Sequence, residues 1–359
     1  MSVATRWAAK LPFGLGLLLA LGACGDPETF QTVRGTQLIS VIADPPAARP
    51  GASVHLELSY FDRDSFETSS EGPGVEVLWI AGCHDPARDS PLSCLPKVAR
   101  LAAGALGLRD GNETDVSAEE VAANTAFGTE LMLQVPSDSV AGRVRGLGSI
   151  AYGISYVFYA VCRGHLQLLP AKARQVPLEC RDENGQRVPN RDFTLGYTSV
   201  YVFDSISSAN PKVDGVELDG ELVTQSACET DADCAAASSA LGYRCFEGAC
   251  VPEVRRCLDT CDSHRVRPRV PSDAAELDPT SVRVGEAPGR ELLWVEYLGI
   301  GRFDRLESLI SDRAGDRREQ YSAEWTAPQN AFPRPVPIWT VVKDNRGGTT
   351  QSRIDVLLR

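Results

Sequence analysis

Positive charge is in short supply: 36 Lys and Arg stand against 48 Asp and Glu, a formal net charge of -12 over 359 residues. An acidic surface of that kind repels phosphate backbones and anionic headgroups, so no nucleic acid partner is expected. Histidine is rarer still. The chain has four, His55, His84, His165 and His264, far apart and none with a second histidine at ligand spacing. Signatures of common chemistries are missing as well: no Gly-x-Ser-x-Gly elbow, no His-Glu-x-x-His, no phosphate-cradling glycine loop ending in Lys-Ser/Thr, and no dinucleotide fingerprint after a strand. Cys-x-x-Cys is absent, which removes the usual spacing of structural zinc. These absences predict no enzyme, no cofactor and no metal centre. Long apolar runs are confined to Leu11–Leu21, which is too short to span a bilayer.

That run is preceded by Arg6 and Lys10 and ends in Leu21-Gly22-Ala23-Cys24, the pattern of a cleaved export signal over residues 1–23. It resembles the lipobox of bacterial lipoproteins, and the resemblance implies diacylglycerol on the Cys24 thiol, cleavage just before it and acylation of the new amine. An ordinary secretory signal ending near a cysteine is the alternative. Residues 24–35 read as a short tether. Two or three acyl chains, at about 0.8 kcal/mol per buried methylene, would anchor the protein stably, so the membrane is an expected partner through the lipid alone. In some bacteria an aspartate directly after the lipidated cysteine retains the protein at the inner membrane. Here Gly25 holds that position and Asp26 follows, which leans towards the outer membrane.

Ten further cysteines remain: Cys83, Cys94, Cys162, Cys180, Cys228, Cys234, Cys245, Cys250, Cys257 and Cys261. An even number in an exported chain predicts five disulfides, against the alternative of buried thiols or metal ligands. Cys83 and Cys94 enclose a short loop and are expected to pair. Six of the ten fall between 228 and 261, in a stretch too poor in apolar residues to hold its shape without cross-links, and three bridges there allow about fifteen connectivities.

Strand patterning dominates the rest. Val54, Leu56, Leu58 and Tyr60 alternate with His55, Glu57 and Ser59, the mark of a half-buried strand. Further strands are expected at Gln37–Ile42, Val75–Ala81, Glu130–Val135, Ile150–Cys162 and Ser199–Phe203, then at Glu291–Tyr297, Tyr321–Thr326, Val336–Lys343 and Ser352–Leu358. Residues 84–128 break the rhythm and read as an insertion. Within it, Ser117 and Glu120 form a capping box, with Val116 and Val121 as the hydrophobic staple of a helix from Ala118. A weak internal repeat aligns Val77-Leu78-Trp79-Ile80 with Leu292-Leu293-Trp294-Val295.

The two halves, with a Trp in a central strand of each and a closing hairpin through Asp344-Asn345-Arg346-Gly347-Gly348, resemble bacterial Ig-like domains. The stretch from Cys228 to Cys250 resembles the N-terminal cysteine-rich domain of Dickkopf proteins, and the whole resembles myxobacterial envelope lipoproteins. This resemblance implies a mainly β architecture of two Ig-like β-sandwich domains, the first with a helical insertion and the second interrupted by a small disulfide-rich module. The expected layout is a sandwich over 36–205 with the insertion at 84–128, the first strand of the second sandwich at 206–224, the module at 225–264 and the remainder of the second sandwich at 265–359. It carries over no catalytic residue.

Three charged clusters are the candidates for chemistry. Asp62, Asp64 and Glu67 follow a strand, where carboxylates can hold calcium, although their spacing fits no defined calcium loop and a solvated turn is the simpler reading. Asp231 and Asp233, with Glu229, pose the same choice. Arg255, Arg256, Arg265, Arg267 and Arg269 with His264 make a basic run that either meets acidic partners or is neutralised by the chain's own carboxylates. The expected function is a lipid-anchored cell-envelope protein presenting a binding or scaffolding surface to protein or polysaccharide. The alternative is a polysaccharide hydrolase using paired carboxylates such as Asp62, Asp64 and Glu67.

Overall fold

The computed structural model describes residues 35–68, 74–111, 115–141, 150–169, 176–236, 241–258, 260–278, 288–332 and 334–359. The expected signal over 1–23, Cys24 and the tether up to Arg34 lie outside the described residues. Among those described, no helix is long and apolar enough to cross a membrane. The chain is mainly β and builds two Ig-like sandwiches, the first with a helical insertion and the second with a disulfide-rich hairpin.

In the N-terminal sandwich, Thr36–Asp44, Ser53–Asp62 and Glu130–Gln134 form a three-stranded sheet in that order. The facing sheet runs Ala47–Ala48, Phe193–Val202, Gly153–Arg163, Val75–His84, Thr125–Phe127. Alternation in Ser53–Asp62 sends Val54, Leu56 and Leu58 into the core, where they meet Trp79, Val157 and Val200. Gly153–Arg163 shows no such alternation because both its faces are covered, one by the opposite sheet and the other by the insertion. Its near-continuous apolar sequence follows from that position.

The insertion holds the helix expected at Ala118–Asn124. The Glu120 amide donates to Ser117 Oγ at 3.1 Å, and Val116 and Val121 are both buried. It also holds a longer helix, Leu95–Arg109, which the sequence reading did not place. Val98, Leu101, Ala102, Ala105 and Leu106 lie on one stripe of that helix and pack against Leu78, Ile80, Tyr156 and Phe158 on the outer face of the five-stranded sheet. The two helices approach closely at Gly104, where an added Cβ would stand 2.7 Å from Val121 Cγ2.

The C-terminal sandwich pairs a sheet in the order Glu221–Leu222, Val216–Leu218, Ser263–Pro268, Ala323–Thr326, Arg302–Phe303 with a six-stranded one. The latter runs Gly242–Phe246, Ala249–Val254, Thr349–Leu358, Val336–Asp344, Leu293–Gly299, Glu307–Ser311. Trp325, Tyr297, Phe303, Val295 and Ile338 fill its core. The internal repeat is corrected here. Trp79 is fully buried with its Nε1 donating to Gly128 O, and its counterpart in role is Trp325, also fully buried and donating to Ile300 O. Trp294 is half-buried on the opposite face of its strand, because Leu293, Val295 and Tyr297 take the inward positions.

All ten cysteines are paired: Cys83–Cys94, Cys162–Cys180, Cys228–Cys245, Cys234–Cys250 and Cys257–Cys261. Two of the bridges fasten the hairpin Gly242–Phe246/Ala249–Val254, whose Glu247-Gly248 turn has φ of 49° and 83°, both in the left-handed region that a tight hairpin turn requires. The hairpin is an edge of the sandwich sheet, with Glu253 opposite Leu357 and Val254 opposite Leu358 in parallel pairing. Likewise Ser263–Pro268, which in sequence reads as a run of arginines, is a central strand whose Val266 points into the core.

Candidate functional site: an aromatic strip leading into the cleft between the sandwiches

The insertion covers only part of the outer face of the five-stranded sheet. On the neighbouring strand Phe193–Val202, the odd-numbered residues share that face, and Tyr197 lies opposite Phe158 while Ser199 lies opposite Tyr156. Tyr197 packs against Tyr156 and Phe158, with ring centroids 5.6 and 5.7 Å away. Tyr201 stacks on Phe203 at 6.2 Å and 9° and lies 5.6 Å from Tyr152. Tyr197 and Tyr201 are four residues apart on one strand, so about 13 Å separates them, with Ser199 between them on the same face. Tyr197 is 52% exposed, Leu195 beside it 44%, and Tyr152 and Tyr201 are half-buried. The buried end is fixed by Asp89, which accepts from Tyr152 through Oδ2 at 3.1 Å and from Tyr156 through its backbone oxygen at 2.8 Å. Burial raises the Tyr156 and Tyr201 phenols, in the latter case with the Asp89 charge adding to it. These hydroxyls therefore remain protonated, neutral donors at physiological pH.

Tyr197 also borders a cleft of about 410 Å³ between the two sandwiches, together with Ser40, Tyr159, Trp294, Glu296 and Lys343. Lys343 Nζ and Glu296 Oε1 pair at 2.7 Å on its far wall. Burial and then the Glu296 charge push the Tyr159 phenol up to about 12. The walls are held by a direct contact between sandwiches. Ile39 packs with Trp339 and Val341, Phe61 lies 5.0 Å from Trp339, and Ser40 Oγ donates to Gln351 at 2.6 Å. Arg334 stacks 4.6 Å from the Phe66 ring and donates to the carbonyls of Ser65 and Phe66. Asn210, in the connecting segment, donates to Ala43 O at 2.9 Å and accepts from the Thr349 amide at 2.8 Å. A rigid platform of rings feeding a polar, partly aromatic slot suits an extended, uncharged ligand with both apolar and hydroxyl faces.

The clusters singled out in the sequence are placed elsewhere. Asp62 and Asp64 share Arg163, at 3.2 and 2.6 Å, and Asp62 also accepts from Ser65 Oγ and the Asp64 amide. Glu67 pairs with Arg63. Asp233 accepts from the Glu229 and Thr230 amides, which hold its carboxyl below the usual range, and Asp231 accepts from the Cys245 amide at 3.0 Å. These oxygens serve as turn and cap acceptors and as ion-pair partners. The three sulfurs that come within metal-ligand distance of one another, those of Cys228, Cys234 and Cys250, are all disulfide-bonded. Within the basic run, Arg267 pairs with Glu217 at 2.7 Å, Arg265 with Glu324 and His264 with Asp219.

Sequence reasoning missed one buried polar cluster altogether. Arg346, in the closing hairpin, is 2% exposed and bonds Glu291, Glu276 and Ser208, beside the buried Asp344 and Asp278. Burial and the nearby Asp344 raise Glu291 to about 7 despite the guanidinium, and burial raises Asp344. The Asp-Asn-Arg-Gly-Gly run read only as a turn, and nothing local signals that its arginine points inward.

No family model and no curated protein matches this chain. Solved structures similar to it include trypsin-activated alpha-2-macroglobulin from Escherichia coli, at 10% identity and TM-score 0.17 over 91% of this chain. The chain spans 17% of that protein's length. Others are the two tandem V-type regions of VCBP3, a v-region-containing chitin binding protein, at 10% identity, TM-score 0.24, 89% of this chain and 100% of that one, and the Yersinia pseudotuberculosis adhesin InvE, at 8%, 0.15, 92% and 61%. These scores are too low to carry an argument about function, and the two-sandwich architecture rests on the sheets themselves.

Proposed function

We propose that this chain is an exported cell-envelope protein, anchored by lipid at Cys24 in the outer membrane rather than the inner, that binds a neutral polysaccharide without cleaving it. The tyrosine strip, half-buried at Tyr201 and exposed at Tyr197 where it meets the inter-sandwich cleft, carries this reading. Ring faces stack on the apolar faces of sugars, and neutral phenols and the Ser199 hydroxyl offer hydrogen bonds to their edges. The acidic surface favours an uncharged polymer over an anionic one. A hydrolase built on Asp62, Asp64 and Glu67 is disfavoured by the arginines paired with all three, since a glycosidase acid must give and take a proton freely.

Binding is tested by retention on cellulose and chitin and by calorimetry with soluble neutral glucans. At least one of these should be retained, and Tyr197→Ala should weaken the association about 5- to 10-fold, as loss of one aromatic platform implies. Failure to retain any neutral polysaccharide, or retention indifferent to Tyr197→Ala and Tyr201→Ala alike, defeats the proposal. Anchoring is tested separately by mass spectrometry of the native, unreduced protein, which should show acyl groups on Cys24.

A further inference from the structure

The N-terminal sandwich carries a second apolar surface, at the edge strand Thr125–Phe127 of the five-stranded sheet, with two strands between it and the tyrosine-bearing Phe193–Val202. Leu108, Phe127, Leu168 and Leu169 are 40–44% exposed. They gather about Arg109, at the end of the helix Leu95–Arg109. Its guanidinium lies 5.8 Å from the Phe127 ring centroid and donates to Leu166 O at 3.0 Å in the hairpin that carries Leu168. A groove of about 940 Å³ borders the patch at Leu168, lined also by Val75, Glu76, Arg109, Asp110 and His165. The charged groups here carry no excess of positive charge: Arg109 is paired to both Glu76 and Asp110, and His165 Nδ1 lies 3.7 Å from Glu76.

The register of the sheets shows which end of the sandwich this is. Thr36, where the chain enters, lies opposite Asp62; Asp62 is bonded to Arg163; Arg163 lies opposite Val75; and the Gly164 amide donates to Gly74 O. The entry strand and this groove therefore share one end. About eleven peptide units separate Cys24 from Gly35, a reach of at most ~40 Å. A sandwich tied on so short a lead must keep this end near the bilayer.

We infer that the patch formed by Leu108, Phe127, Leu168 and Leu169 rests in the interface of a lipid bilayer, fixing the orientation of the protein on the membrane that anchors it. This rests on the reading of Cys24 as the lipid attachment. The chemistry suits a zwitterionic surface: four apolar side chains enter the headgroup boundary while paired charges add no net attraction to anionic lipid. Seated in this way, the acyl chain needs to supply only part of the hold, and the tyrosine strip is kept at a constant angle to the membrane.

The test uses the full lipidated protein on phosphatidylcholine vesicles containing doxyl-labelled lipid, with Phe127→Trp and, independently, Leu168→Trp as reporters and Leu277→Trp as a control in the other sandwich. The inference predicts that doxyl lipid quenches the added emission of both reporters by half or more and leaves that of Leu277→Trp unchanged. Equal quenching at all three sites, or none at Phe127 and Leu168, overturns it. Mass spectrometry on the same samples separates the two claims. Acylated Cys24 with unquenched reporters refutes the membrane-seated patch alone, whereas an unacylated chain removes the anchor and this inference with it. A detergent-solubilised dimer that Leu108→Ser with Leu168→Ser converts to monomer would assign the patch to a second copy and also overturn the inference.

Discussion

Replacing Arg346 with methionine probes the energetics of the buried polar cluster, because methionine keeps most of the side chain's volume and removes its charge and its donors. Among the described residues the guanidinium is the only cation bonded to Glu291, itself 1% exposed, and it also fastens Glu276 and Ser208. Removing one partner of a buried ion pair costs about 3–5 kcal/mol, because the remaining charge is left in a medium of low polarity. For a domain of this size that corresponds to a fall in Tm of roughly 8–16 °C. The pH dependence gives a sharper test. A carboxyl raised from 4.5 to about 7 holds its proton longer in the folded chain than in the unfolded one. The folded state thus binds more protons between those values, and wild-type stability falls as pH rises through that window. Without Arg346 the upward displacement grows and the loss extends to higher pH. The cost of Arg346→Met should therefore be smallest near pH 5 and largest near pH 8. Guanidinium unfolding followed by tryptophan fluorescence at pH 5, 7 and 8 measures it. A cost below about 1 kcal/mol at every pH, or one that shrinks as pH rises, would refute the reasoning.

Other expectations follow from single contacts. Gly301 has φ of +119°, and an added Cβ would stand 2.4 Å from Trp325 Nε1 and 2.7 Å from Thr326 O. Gly301→Ala should thus cost about 3–5 kcal/mol from strain and overpacking together, read as a lowered unfolding midpoint. Ser117→Ala removes the acceptor for the Glu120 amide and should cost about 1 kcal/mol without altering any disulfide. Replacing both Cys228 and Cys245 with serine opens a loop of 17 residues and should cost about 3 kcal/mol, seen as faster amide exchange across Gly242–Val254. Exchange unchanged in that hairpin would mean that its pairing with Thr349–Leu358 suffices to hold it.

Legibility of the sequence tracked how local each signal was. The strand from Val54 shows itself because one face is wet, and the helix at Ala118 because its cap and staple lie within six residues. The helix Leu95–Arg109 has helical spacing from Val98 to Leu106, but it starts on Leu-Pro-Lys with no capping side chain, so its start carries no local signal. In the strand Ser263–Pro268 the run of charge, for which neutralisation by the chain's own carboxylates is the simpler expectation and which Arg265 and Arg267 meet in that way, hides the inward face that Val266 marks. The resemblance of Trp79 to Trp294 was true of strand character and false of facing, because a shift of one residue moves a side chain to the other side of a sheet. The tyrosine strip depends on register between strands some forty residues apart in the chain, Tyr197 beside Phe158 and Tyr201 beside Ile154, and no local pattern encodes that pairing.

The contact between Phe61, Trp339 and Ile39 bears on how such a chain can evolve. Cutting it near residue 205 to shuffle either half into another gene would strip two apolar faces at once and leave Asn210 without one of its partners. Fragments made by recombination at that joint should therefore be sticky and poorly soluble when expressed alone.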